Sequence, residues 1–157
     1  GLWGAWTESA THGMWGMYVA KTREDMPADD PMGYALMTNK FFHPYLTYNA
    51  RIDAGLNGNF SLRFDAAKPY THHSRYLKDV TLLGSNNNTV TVNELDNNIT
   101  GNAGVNTVIF SGPSNDYVIM TTNDNVTTVK DGVPNRDGLN TVSKVEKLQF
   151  TDKTIEL

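Results

Sequence analysis

Apolar and polar positions follow three patterns in succession along the chain. From Glu8 to Ala20, apolar residues fall at 10, 14, 15, 17, 18 and 19, the i, i+4, i+7/8 spacing of an amphipathic helix. Thr7 or Ser9 is placed to cap its start, while Gly13 and Gly16 each weaken it by roughly 1 kcal/mol. Asp30-Pro31 reads as an N-cap followed by a first-turn proline and predicts a helix over Met32–Asn39; Phe41–Tyr48 then turns extended. At Phe60-Ser61-Leu62-Arg63-Phe64 the period changes to two, as in a half-buried strand. Pro69–Ser74 reads as a loop and Leu77–Leu82 as the next strand.

From Leu83 the chain divides into nines, LGSNNNTVT, VNELDNNIT and GNAGVNTVI. Position six is Asn88, Asn97 and Asn106, position eight is Val90, Ile99 and Val108, and position two is Gly84, Asn93 and Asn102. Six residues of turn and about three of strand make a solenoid coil, and stacked coils align identical residues. One column of inward apolar side chains is expected beside one column of asparagines, the repeat ladder Asn88, Asn97 and Asn106. Beyond it Tyr117–Thr121, Asn125–Lys130, Val145–Phe150 and Thr154–Leu157 are strand-like, separated by Gly, Pro, Asn and Asp turn chemistry.

The fold expected is mainly β. A small helical N-terminal block covers 1–58, read as a fragment of a larger upstream domain. A β module covers 59–157, with short β-solenoid (β-roll-like) coils at about 83–109 and an antiparallel β-meander cap at about 110–157.

Composition narrows the chemistry. Among 157 residues there are 17 Asn, 18 Thr, 13 Gly and no Cys, so disulfide frameworks, thiolate metal sites and thiol nucleophiles are excluded. A net charge of -4 argues against a partner with a phosphate backbone, and nucleic acid is not expected. No run of about 18 apolar residues exists, so no membrane span is expected. The start at Gly1, without an initiator Met or a signal-peptide pattern, gives the expectation of a piece of a longer polypeptide.

Gly101-Asn102-Ala103-Gly104-Val105-Asn106-Thr107-Val108-Ile109 resembles the G-G-x-G-x-D-x-U-x nonapeptide of secreted repeats-in-toxin (RTX) proteins, the hemolysin-type calcium-binding family, with Asn at positions two and six. Asp137–Asp152 resembles the usual ending of such regions, and the resemblance covers about residues 79–157. It implies a secreted, extracellular bacterial protein exported by a type I system. In the family, position-six aspartates bind calcium; here all three copies carry Asn, which removes the charge that offsets dehydration of the ion. The coils are therefore expected to be metal-free, without a cofactor, held by side-chain amides. If calcium binds, Gly101, Ala103 and Asn106 are its expected place.

The N-terminal block holds most of the aromatics, including all three Trp. Most are expected to be core or interface residues, with Trp3 and Trp6 the candidates for an exposed, sugar-stacking patch. Glu8 and His12 stand i, i+4, and the stretch faintly resembles the helix that donates a carboxylate ligand in zinc metallopeptidases. His72 and His73 are adjacent and read as ordinary loop residues. No Gly-x-Ser-x-Gly elbow and no glycine-rich phosphate loop is present.

The function expected is a non-catalytic C-terminal module of a larger secreted protein, serving stability, secretion or attachment. The alternatives are the tail of a secreted zinc metallopeptidase lacking its catalytic part, and a carbohydrate- or surface-binding adhesin module. The partners expected are the upstream domain of the same polypeptide and a polysaccharide or cell surface.

Overall fold

The computed structural model describes residue 20, residues 24–37 and residues 49–157. The chain divides into two compact units, Gly1–Thr47 and Tyr48–Leu157. In the first, α1 (Met26–Asp29) is followed directly by α2 (Pro31–Met37). The Asp30 carboxylate accepts from Gly33 N at 2.8 Å, the N-cap bond that Asp30-Pro31 predicts. The helix expected over 8–20 lies outside the described residues.

The second unit is mainly β. Its strands are β1 (Asn49–Ile52), β2 (Gly58–Ser61), β3 (Asp79–Leu82), β4 (Asn88–Thr91), β5 (Asn97–Thr100), β6 (Asn106–Ile109), β7 (Tyr117–Thr121), β8 (Val126–Asp131), β9 (Leu139–Ser143), β10 (Lys147–Gln149) and β11 (Thr154–Glu156). They form one six-stranded sheet, β1-β3-β5-β9-β8-β7, and one five-stranded sheet, β11-β10-β6-β4-β2. From β1 to β6 the chain alternates between the two sheets, so each strand pairs in parallel with the strand two further on.

Alternating sides of each strand fix which residues enter the core. In β4 and β6 the first and third residues are buried and the others half-exposed, the period-two pattern of a strand with one covered face. Position eight is buried as expected: Val90, Ile99 and Val108 are each about 1% exposed. Val90, Val108 and Leu148 stack in one sheet and Val80, Ile99 and Val142 in the other. Each such side chain contributes roughly 1.5–3 kcal/mol by burial, and β-branched residues suit the pleated surface. Phe110, Tyr117 and Phe150 close the core, with the Phe110 and Phe150 rings stacked at 5.0 Å.

The placement of the strands differs from the sequence expectation. Alternate nonapeptides go to opposite sheets, so the apolar residues and the asparagines each form two columns, one per sheet. Antiparallel pairing over 110–157 is found for β7–β8, β8–β9 and β10–β11, whereas β9 pairs in parallel with β5 and β10 with β6. Val142 and Leu148 supply the inward residues that let these two strands join the stack.

The segment between β2 and β3 covers the free edge of β2. Ser61 N donates to Tyr70 Oη at 3.1 Å, and Ser74 Oγ donates to Ser61 O at 2.6 Å. The Ser61 N–H and C=O, which would otherwise invite another strand, are thereby bonded. His72 and His73, expected in a loop, lie in the one-turn helix α3 (Thr71–Ser74).

Candidate functional site

The side-chain chemistry of the second unit is concentrated in its turns. Asn93 and Asn102, at position two of their nonapeptides, make the same set of bonds. Asn102 Oδ1 accepts from Gly104 N, and its Nδ2 donates to Leu83 O and Asn86 O in the preceding turn of the stack. Asn93 Oδ1 accepts from Leu95 N, and its Nδ2 donates to Arg75 O and Leu77 O. Asn86 likewise donates to Ala54 O and Leu56 O. One short amide thus shapes its own turn and ties it to the turn before.

The position-six asparagines point inward. Asn88, Asn97, Asn106 and Asn140 are all buried, at 2% exposure or less. Asn88 stands opposite Asn106, and Asn97 opposite Asn140. Each amide bonds to backbone rather than to the amide facing it: Asn97 Nδ2 to Leu77 O at 3.1 Å, Asn140 Nδ2 to Asp137 O at 2.6 Å, and Gly58 N to Asn88 Oδ1 at 3.2 Å.

The residues expected to hold calcium, if any do, come together around Asn106. Its Nδ2 faces Gly104 O at 2.9 Å, Asn102 O and Glu146 Oε2 at 3.3 Å, and Lys144 O at 3.4 Å. Gly101 N donates to Ser143 O and Ala103 N to Gly84 O; a Cβ at Gly101 would collide with Lys144 O. Calcium takes about six to eight oxygens and several carboxylates. Here the Asn106 amide faces the carbonyls of Asn102, Gly104 and Lys144 and one carboxylate, Glu146, which also accepts from Asn106 N at 2.6 Å, while the Asn106 side-chain oxygen is buried without a hydrogen-bond partner. One carboxylate is fewer than the several that calcium usually takes. Among the described residues, no group of three or more His, Asp or Glu side chains is gathered as for a metal.

A second cluster was read from sequence only as turn chemistry. Asp137, fully buried, accepts at Oδ1 from Arg63 Nη2 at 2.5 Å and at Oδ2 from Tyr117 Oη at 2.6 Å and Ser111 N at 2.7 Å. Arg136 spans Asp131 and Asp116 and lies 5.0 Å from the centre of the Tyr117 ring. Burial, reinforced by the hydrogen bond to Asp137 and its charge, pushes the Tyr117 hydroxyl well above its ordinary range. For Asp131 burial disfavours the charge, but Arg136 and two backbone N–H groups outweigh it and hold the carboxyl below 3.8. Every member bonds another protein group, and the arrangement is a clasp.

Trp3, Trp6, Glu8 and His12 lie outside the described residues. Among the described residues, no helix is long and apolar enough to cross a membrane. No family model matches the chain, and no curated protein or solved structure matches it either.

Proposed function

We propose that the second unit is a short β-solenoid of the β-roll kind, two nonapeptides to the turn, and that the protein is a non-catalytic C-terminal module of a larger secreted bacterial protein related to the RTX family. One observation carries this reading. Asn88 pairs in parallel register with Asn106, 18 residues on, while Asn97 between them joins the other sheet. A coil that visits two sheets and returns every two nonapeptides has this register.

The module's role is stability, secretion or attachment of the longer chain, and its coils are held by asparagine amides in place of calcium. Melting in excess EGTA and again in millimolar calcium tests the metal-free part. The midpoints are expected to agree within about 1 °C, and a rise of roughly 5 °C or more in calcium overturns that part. Co-expression with a type I export system tests the secreted assignment. Recovery from the medium supports it, and retention of folded protein inside the cell counts against it.

A further inference from the structure

Phe64 is 43% exposed, yet its ring is held in place. The Arg75 guanidinium lies 5.0 Å from its centre and 4.9 Å from the centre of Tyr76, and His72 meets the Phe64 ring at 4.9 Å and 66°. The segment carrying Phe64 is fixed as well. Thr71 Oγ1 accepts from Asp65 N and shares its one O–H between Lys68 O and Asp65 O. An aromatic surface ordered in advance loses little freedom when something stacks on it.

Phe64 lines a groove of about 460 Å³ on the outer side of β2 and β4, with Asn59, Asp65, Lys68 and Thr91 around it. Thr91 Oγ1 donates to Asn59 Oδ1 at 3.2 Å across the groove floor. Lys68 stands 3.5 Å from Asp65, and Arg63 is paired with the buried Asp137, so the charges lining the groove are balanced. A partly exposed aromatic side chain thus stands beside hydrogen-bonding groups of both kinds. A wholly apolar ligand would strip water from the Asp65 and Lys68 charges and replace none of its bonds, and an anion would meet Asp65 as well as Lys68.

We propose that this groove binds a neutral pyranose of a polysaccharide. The C–H face of the sugar lies on Phe64, and its hydroxyls bond Asn59, Asp65, Lys68 and Thr91. The inference deepens the attachment role and rests on the module reading only for its biological setting; sugar binding reports on the groove, whereas calcium response and export report on the coils.

The full chain, labelled with nitrogen-15, is titrated with cellohexaose, maltohexaose and laminarihexaose, and with trigalacturonate as the charged comparison. At least one neutral sugar is expected to give saturable shifts at the amides of Asn59, Phe64, Lys68 and Thr91 below about 20 mM, with little change in about 0.5 M sodium chloride. Phe64→Ala is expected to weaken binding about tenfold or more, and Lys68→Glu several-fold, with melting curves close to the parent. Silence from all three neutral sugars overturns the proposal. So does binding undiminished in both folded variants, or tighter binding of trigalacturonate than of any neutral sugar.

Discussion

Asn97 in β5 stands opposite Asn140 in β9, although the whole β7–β8 hairpin lies between them in the chain. Each donates its amide to a backbone carbonyl, Leu77 O for one and Asp137 O for the other. Asn140→Ala removes the donor and leaves a buried carbonyl bare, at a cost of about 2–3 kcal/mol. The urea midpoint is expected to fall with an unchanged slope.

Gly101 sits where β5 leads into the turn toward β6, close against the carbonyl of Lys144. Gly101→Ala puts a methyl group into that carbonyl, so the two turns must separate. A loss of about 1–3 kcal/mol is expected, and hydrogen exchange at Gly101 and Asn106, which donate to Ser143 O and Glu146, should accelerate with it.

Arg63 and Asp137 form a pair in which the carboxylate is wholly buried. Arg63→Met leaves that charge without its cation, and the expected loss is about 3 kcal/mol or somewhat less, since Arg63 is partly exposed. Tyr117→Phe removes the hydroxyl that donates to Asp137 and accepts from Gly112 N, for about 1–3 kcal/mol. The double variant should cost less than the sum in a denaturation cycle, because both residues serve the same carboxylate.

Asp152 receives two bonds from Ser114, one from its N–H and one from its hydroxyl, and its carboxyl titrates below 3.8, as does that of Asp131. A depressed folded value means that the stability lent is complete above 3.8 and is lost as pH falls through the lower folded value. Melting temperature is therefore expected to be level from about pH 7 to 5 and to drop below about pH 4. Asp152→Asn should melt lower than the parent at neutral pH, with the gap closing toward about pH 2. At the alkaline end the sign reverses. Tyr117 is raised above its ordinary 10.0, so its contribution is present below pH 10 and lost above it, and Tyr117→Phe should flatten that decline.

The sequence and the structure agree most closely where one residue answers to one local rule. Val90, Ile99 and Val108 alternate with polar neighbours and are buried, and Asp30 before Pro31 caps α2. Nonapeptide spacing predicts strands, but whether successive strands share a sheet is decided by how far each turn bends, and Asn93 and Asn102 set that through bonds to residues in the preceding turn. Glu146 aligns with Asn106 only through the β6–β10 register, because the insertion between them erases the period. The clasp around Asp137 was illegible for a similar reason. Its partners Arg63, Ser111 and Tyr117 are scattered along the chain, and each alone is an ordinary residue of its segment.

Across the sheet that holds β2, β4, β6 and β10, facing residues are 30, 18 and 40 positions apart, at Gly58 and Asn88, at Asn88 and Asn106, and at Asn106 and Glu146. Parallel register nevertheless persists through all three steps. Connection length is thus decoupled from alignment at the steps from β2 to β4 and from β6 to β10, where 30 and 40 positions separate facing residues and the layers on either side still keep their places.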